Sequence, residues 1–486
     1  MGSDGIEVEV EVEKEPQGCD LLIDFEHRND SRIPQNWPLV KKILVVVMLS
    51  VFNLIGTISS SIMGPAHTKV AEQFGASREV AILCTTLFMA GYIFGFLTFG
   101  PLSEKFGRKW PLICGIAVSS FLELMPALGT NIQTIVIGRL FAGFFGVSPV
   151  AVMGGITSDC FTLAHRSIAM PIVICLFFSG PTFGPIVGSA IVESSLSWRW
   201  TIWVMLISGL GVCAIATLIF PETYPPAILR KEAQLLRKKY KNHAIRSKLE
   251  KENSGLHQFA RVYLIRPLWL LSTQPILALL TLYQSFLYGV LFLFYQAYPY
   301  YFGEIRGWNT SVDTLPLLGI ISGVFIGTLG IIIYNQVYFR HHCYASDGVF
   351  IPEARLPPMI FGGVLIPIGI FWFAWTAQPN IPWPSPLCAS LLIGCGMYLV
   401  FIQGFIYIVD CYTSMANSAM GVNGSLRSIF GAVFPLFATQ MFEKLGVSNA
   451  TTILAAVTVC LIPVPVCFWY WGDRIRARSS AKVSSE

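Results

Sequence analysis

The sequence predicts an all-α protein that crosses a membrane twelve times, as two six-helix bundles with both termini in the cytoplasm. Three observations carry that expectation. The first is composition: of 486 residues, 54% are hydrophobic and only 13% are charged, and the mean hydropathy is +0.61. Soluble domains carry roughly 25% charged residues, so a chain this apolar needs a bilayer to cover it. The second is a series of apolar runs near 43–63, 79–99, 110–129, 132–154, 168–192, 200–220, 269–298, 314–335, 358–377, 386–409, 418–440 and 449–471. Each is about 20 residues long, enough to cross a hydrocarbon core. The third is one sizeable hydrophilic break, at about 221–268, which divides the runs six and six.

In chain order, residues 1–40 form a polar tail in which Glu7, Glu9, Glu11, Glu13 and Glu15 alternate with other residue types. Such a run reads as a solvated, disordered cytoplasmic tail. No secretory signal precedes the first span, which is then itself the membrane address. Asn36-Trp37-Pro38 anchors the entry, and residues 41–220 form the first bundle. In the central loop, 221–268, Pro226 can open an amphipathic helix. Residues 269–472 form the second bundle and 473–486 a second cytoplasmic tail. The seventh run is overlong and is expected to continue past the bilayer on one side.

Charge orients the chain. With the first span running outward, 26 of the 33 Lys and Arg fall on cytoplasmic segments, five on outer loops and two within spans. That asymmetry places both termini and the central loop inside. The sequons at Asn309 and Asn449 fall on outer loops and are compatible with glycosylation. A net charge of +5 is too small and too scattered to point to nucleic acid. None of the twelve cysteines forms Cys-x-x-Cys, so they read as small core residues. His341-His342-Cys343 reads as a hydrophilic connector, not a metal site, and no cofactor is expected.

The basic turn Gly100-Pro-Leu-Ser-Glu-Lys-Phe-Gly-Arg-Lys109 joins the second and third runs. Gly100-Pro101 is expected to end a helix, Gly107 to allow a tight return, and Lys105, Arg108 and Lys109 to hold the loop on the positive side. Glu104 is placed to accept hydrogen bonds from a helix N-terminus or to pair with one of those cations. The stretch resembles the loop between the second and third helices of the major facilitator superfamily.

Further segments carry the same resemblance. Gly180-Pro181-Thr-Phe-Gly184-Pro185-Ile-Val-Gly188 in the fifth run presents one smooth glycine face for close packing, and its prolines can hinge the helix. It resembles the antiporter signature of drug:proton exchangers. Arg139 and Gly143 of the fourth run resemble the family's R-x-x-x-G motif, whose arginine is linked to proton coupling; the alternative is an arginine snorkelling to the outer surface. Asn423 and Arg427 share a face of the eleventh run. With Asn36-Trp-Pro, Ser197-Trp-Arg-Trp, Pro221-Glu-Thr-Tyr, Leu445-Gly-Val and Arg474-Ile-Arg-Ala-Arg478, they resemble the fungal branch of twelve-span drug:proton antiporters. That branch includes polyamine, multidrug and secondary-metabolite exporters. The resemblance implies a major facilitator fold, a small-molecule substrate, protons as partner and a monomer in the lipid bilayer of the plasma membrane.

A central cavity is expected to be walled by Asn53, Arg139, Tyr283, Gln284, Tyr288, Gln403, Tyr407, Asn423 and Arg427. Amide and aromatic groups suit a lipophilic substrate with a few hydrogen bonds. Tyr298, Tyr300 and Tyr301 are expected at the interfacial belt. Proton coupling needs a carboxylate whose pKa can be raised by burial; Glu123, in the outer half of its span, is the candidate, with Arg139. Asp159 and Asp410, at matching ends of the two halves, are expected to form a cytoplasmic gate with Arg166 and the turn of Gly100, Glu104, Gly107 and Arg108.

No P-loop is present and no acid–histidine cluster lies inside the runs, so neither ATP-driven transport nor an intramembrane enzyme is expected. The expected function is proton-coupled efflux of a small organic molecule, neutral or anionic and partly aromatic. Import by the same fold and a transport-inactive sensor or scaffold are the alternatives. Polyamine export fits less well, because the spans hold more arginine than acid.

Overall fold

The computed structural model describes residues 21–25, 27, 30–242, 244–251, 265–339, 351–412 and 415–483. The acidic run at Glu7–Glu15, most of the later central loop and His341-His342-Cys343 lie outside them. Among the described residues, eleven helical runs are long and apolar enough to cross a membrane. The first six are Leu39–Phe74, Arg78–Phe106, Lys109–Leu128, Ile132–Cys160, His165–Glu193 and Trp200–Ile219. The next four are Pro275–Ile305, Thr310–Phe339, Pro352–Thr376 and Pro384–Cys411.

The eleventh, Ala416–Arg476, is 61 residues long. At 1.5 Å per residue a straight helix of that length would run roughly 90 Å, about three bilayer cores. It is not straight: Gly446 breaks it at φ 74, ψ 156, a conformation essentially confined to glycine. The two apolar runs expected at 418–440 and 449–471 thus lie on either side of one glycine turn. The seventh run also differs from expectation. Gln274-Pro275 separates a short helix, Arg266–Thr273, from the span, because Pro275 cannot continue a ladder from before it and opens the next helix instead. The first residues of the run belong to that separate helix, and the span that follows still runs 31 residues, to Ile305.

Helix contacts sort into two halves. In the first, the first span packs on the fifth, the second on the fourth, and the third on the fourth and sixth; in the second, the eighth and ninth pack on the tenth, and the seventh on the eleventh run. The halves meet where the second span packs on the eleventh and the fifth on the eighth. Burial follows this plan: the most apolar window of the tenth span is 89% buried, that of the sixth only 33%. Ile207, Ile215 and Leu218 of the sixth are left exposed, as a lipid-facing helix requires.

Close approach within the first half comes from the fifth span. A Cβ at Gly180 would fall inside the Thr57 hydroxyl, one at Gly184 inside the Ser61 hydroxyl, and one at Gly188 against the Ile62 carbonyl. The Ser61 hydroxyl donates across this contact to the Pro181 carbonyl at 2.7 Å. The helix Leu163–Glu193 runs unbroken through Pro171, Pro181 and Pro185.

Part of the first forty residues is ordered, against expectation. Leu21–Leu22 pairs in parallel with Ile245–Arg246, and Ile23 is buried against Leu229 and Ala233 of the connecting helix Pro225–Tyr240. The apolar cluster Leu21-Leu22-Ile23-Phe25 supplies the reason: it gives the tail something to bury. Arg32 bridges Asp30 at 2.6 Å and Glu232 at 2.5 Å, and the Asp30 carboxylate, with Glu232, holds this guanidinium above its ordinary value.

Tyr298 and Tyr301 are not interfacial. Both are fully buried, Tyr298 bonded to the Ser390 hydroxyl and Tyr301 donating to the Gln378 carbonyl at 3.1 Å. Phe294, Phe302 and Phe373 surround them, so this end of the seventh span is an aromatic core and not a belt.

Candidate functional site

The second span does not stop at Gly100-Pro101; its helix continues to Phe106. Pro101 is tolerated there, and the Ser103 hydroxyl donates to the Gly100 carbonyl at 2.6 Å. The helix ends at Gly107, whose φ of 92 only glycine accepts readily. Glu222, just after the sixth span, holds the turn that follows. Its carboxylate accepts the backbone N–H of Arg108 at 2.7 Å and of Lys109 at 3.2 Å, and so serves two orphan donors at the start of the third span. Arg108 is thereby aimed inward, where its Nε donates to Asp159 at 3.0 Å and its Nη1 to the Ser103 hydroxyl at 2.7 Å.

The second half repeats this arrangement. Arg355, at the start of the ninth span, is fully buried, lies 4.0 Å from the Phe339 ring and pairs with Asp410, at the end of the tenth. Beside it Glu353 is clasped by Arg476 at 2.8 and 2.9 Å and accepts from the Tyr407 hydroxyl at 3.3 Å. Each half therefore sets an arginine from its third helix against an aspartate ending its fourth.

Asp410 also reaches across the halves to Arg166 at 3.4 Å. At this same face Asn417 donates to Glu104, and the Asn335 amide donates to the Ser167 carbonyl at 2.9 Å. The opposite face has cross-half contacts of its own: Thr182 with Tyr295 at 2.9 Å, Ser189 with Thr314 at 2.7 Å, Glu193 with the Ser311 N–H, and Arg78 with Glu304 at 3.5 Å. Polar contacts join the halves at both ends.

Between these contacts lies a cavity of about 190 Å³. From the first half Phe96, Gly100, Arg108, Gly154, Arg166 and Met170 border it; from the second, Arg355, Phe405, Asn417, Gly421 and Arg427. A wider recess of about 510 Å³ at the opposite face is bordered by His67, Arg78, Tyr295, Glu304 and Asp313.

Arg427 stands at the inner end of the first cavity. It is 4% exposed, and among the described residues it has neither an ion-pair partner nor a hydrogen bond, its Nε being buried without an acceptor. Four rings surround its guanidinium: Tyr288 at 5.1 Å, Phe177 at 5.4 Å, and Phe96 and Phe401 at 5.8 Å each.

Most of the other residues expected on the wall lie inside one half. Asn423 donates to Thr281 at 3.2 Å and to Gln284 at 2.9 Å, while Gln284 reaches the carbonyls of Val400 and Phe401 at 3.4 and 3.3 Å. These amides join the seventh, tenth and eleventh spans instead of facing the cavity. Asn53 donates to its own helix at Leu49, 2.8 Å, and Tyr283 and Gln403 are fully buried. Tyr407 turns to Glu353. Gln284 finds backbone carbonyls of the neighbouring tenth span, as a buried amide requires, whereas both polar side-chain atoms of Gln403 are buried without a partner among the described residues. Tyr288 reaches the site only through Arg427.

Arg139 does not snorkel, and Glu123 does not sit among headgroups. Both are buried, and they meet: Arg139 Nη1 donates to Glu123 Oε1 at 2.6 Å. Arg139 also donates to the carbonyls of Cys84, at 3.0 Å, and Ser59, and stacks on Phe88 at 4.2 Å. The Ser59 hydroxyl donates to the same carboxylate oxygen at 2.8 Å, leaving Glu123 Oε2 buried without a partner. The pair lies within the first half and away from the cavity. Asn309 and Asn449 are exposed.

Sequence reasoning missed Arg355, Glu353 and Glu222. Arg355 was findable, since it occupies in the second half the place of Arg108 in the first. Glu222 stood in the quoted Pro221-Glu-Thr-Tyr, but nothing in one sequence says that this segment folds back beneath the second turn.

The Major Facilitator Superfamily model matches residues 46–435. The chain is 40% identical over 468 residues to the citrinin biosynthesis cluster MFS transporter mrr1 of Monascus ruber, covering 96% of this chain and 93% of that one. It is 39% identical over 461 residues to the cercosporin MFS transporter CTB4 of Cercospora nicotianae, with 94% and 89% covered. Among solved structures, the human organic anion transporter MFSD10 superposes with a TM-score of 0.60 at 15% identity, over 88% of this chain and all of the other, which speaks for the fold alone. With the helices paired in two halves around a cavity and the match extending over most of its length, the chain belongs to the major facilitator superfamily: it is a multi-pass membrane transporter, not an enzyme.

Proposed function

We propose that the chain exports a small organic molecule across the plasma membrane in exchange for protons. The observation that carries this reading is the cavity between the halves, bordered by Arg427 and by Arg166, whose pair with Asp410 ties the halves together at one face. The relatives named for a citrinin biosynthesis cluster and for cercosporin favour a secondary metabolite as cargo. The path has twelve spans, the eleventh run counting twice, and the lysine and arginine asymmetry puts both termini and the Arg166–Asp410 face in the cytoplasm. The transporter acts as a monomer, and Asn309 and Asn449 are glycosylated on the outer face.

Alternating access in this fold is a rocking of one half against the other. Opening toward the cytoplasm requires Arg166 to leave Asp410 and Asn417 to leave Glu104; opening outward requires the Ser189–Thr314 and Thr182–Tyr295 contacts to part. Protons enter through the buried carboxylate of Glu123. Protonation there would release Arg139 from its ion pair, so proton and cargo would favour different states of one molecule.

Retention of a panel of fluorescent drugs and labelled metabolites in pump-deficient yeast tests this reading. The protein is expected to lower retention of at least one compound, with the effect lost on collapse of the proton gradient and in Arg427→Ala. Higher retention would make it an importer, and a lowered retention that survives collapse would sink the coupling.

A further inference from the structure

Arg427 is a cation in the place where a membrane protein can least accommodate one alone. Among the described residues no carboxylate lies within ion-pairing distance of it, and its Nε is buried without an acceptor. The other three arginines bordering the cavity are differently placed. Arg108 holds Asp159, and Arg166 and Arg355 share Asp410. Both aspartates are thereby engaged, and among the described residues no acid borders the cavity itself. The inner end of the cavity is left with one uncompensated positive charge.

The sequence around Arg427 is shaped to surround it with rings. Gly424 and Gly431 lie three residues before and four after it, on the same helical face. A Cβ at Gly424 would come within 2.6 Å of the Phe96 ring, and one at Gly431 within 3.0 Å of Tyr288. The two glycines thus admit the rings that flank the guanidinium. Phe96 and Phe177 come from the first half, Tyr288 and Phe401 from the second. The rings attract the charge by their quadrupoles, but they cannot accept a strong hydrogen bond from it.

We propose that this cavity takes a planar aromatic organic anion, whose carboxylate or acidic phenolate is received by Arg427 while its rings lie against Phe96 and Phe405, which border the cavity. This rests on the transport reading above and narrows it to a substrate class. A guanidinium presents a planar fork that matches a carboxylate with two parallel hydrogen bonds. A neutral ligand leaves the charge uncompensated, and a cation meets four arginines. At about 190 Å³ the cavity is smaller than common drug sites, roughly 300–1,000 Å³, so the anion is compact. Because Arg427 is itself caged by two rings from each half, a ligand held on its guanidinium bears on the position of one half against the other.

Binding of three matched probes to the full-length protein in lipid nanodiscs tests the proposal: 1-naphthoate, the neutral 1-naphthamide and the cationic 1-naphthylmethylammonium. Naphthoate is expected to bind at least tenfold tighter than either of the others. Arg427→Gln is expected to abolish that preference while leaving naphthamide binding in place, and Arg427→Lys, which keeps the charge but loses the fork, to fall between. The proposal is overturned if the amide or the ammonium matches naphthoate, if none of the three binds, or if Arg427→Gln keeps the preference. Should Arg427→Gln fail to elute as a single species, the wild-type preference and the Lys variant decide. Proteoliposomes separate this from the transport reading. Arg427-dependent binding without naphthoate movement under a pH gradient would keep the anion site and sink transport; movement of the amide or ammonium that ignores Arg427 would do the reverse.

Discussion

Arg139 and Glu123 show how much a single buried charge decides. An isolated arginine in a span costs roughly 2.5–3.5 kcal/mol on insertion scales, so Arg139 needed a partner, and Glu123 lies on the neighbouring span. Removing one member of a buried pair typically costs 3–5 kcal/mol, because the other charge is left uncompensated. Arg139→Met alone is therefore expected to lower the melting temperature of the purified protein sharply. Adding Glu123→Leu should restore much of the loss, since two apolar groups leave nothing unpaired. A double variant no more stable than Arg139→Met would show that the pair does not hold the first half together. The two glycines of the basic turn make the second contrast at this scale. Gly107, at φ 92 and pressed by Glu222, should lose about 1–3 kcal/mol on replacement by Ala. Gly100 lies in a helix with nothing within 4 Å of an added Cβ, so Gly100→Ala should be neutral or slightly stabilising. Equal melting shifts for the two variants would refute that. These residues were visible in the sequence as types, but their partners were not. Arg139 could be seen to need a counter-charge, whereas which carboxylate would meet it depended on the azimuth of two helices.

Helix-scale features were more legible, because hydrophobic length needs no partner to be read. The first ten spans lie close to their apolar runs, and the departures occur where backbone chemistry outranks hydropathy. Pro275 cut the overlong seventh run in two, and Pro101 failed to stop the second. A proline removes one hydrogen bond, which a helix buried among neighbours can forgo where the turn lies at its end. The glycine face of the fifth span carries a prediction at this scale. Gly184→Leu would drive a side chain into Ser61 and the Ile58 carbonyl, forcing the first and fifth spans apart. Overpacking of this kind costs typically 1–3 kcal/mol, and the measurement is the yield of monodisperse protein and its melting temperature. Gly211, on the sixth span, has open space around it, and Gly211→Leu should leave both unchanged. If the two variants behave alike, close packing is not what the glycine face provides.

At the scale of the whole molecule, the halves are joined at both faces, so transport would turn on which set of contacts yields. The two sets differ in kind. One relies on the part-buried Arg166–Asp410 ion pair and amide contacts; the other relies on the hydroxyl pairs Ser189–Thr314 and Thr182–Tyr295, with the Arg78–Glu304 pair exposed beside them. Of these pairings only Arg166 with Asp410 was expected at one gate, from the matching placement of Asp159 and Asp410; the others join residues more than a hundred positions apart and could not be paired from the sequence. A variant can shift a two-state balance only by its differential effect on the two states. Asp410→Asn weakens one face and leaves the other untouched, whereas Thr314→Val removes the hydroxyl pair at the opposite face. Hydrogen–deuterium exchange of the purified protein is expected to rise at the fifth-span start around Arg166 and Ser167 in Asp410→Asn. In Thr314→Val it should rise instead at the other end of the same helix, around Ser189 and Glu193. Because Asp410 also holds Arg355, its replacement should carry a stability loss that Thr314→Val does not share. Exchange rising at the same end in both variants would mean that the two closures are not alternatives, and the rocking of the halves would have to be rebuilt around a different pair of contacts.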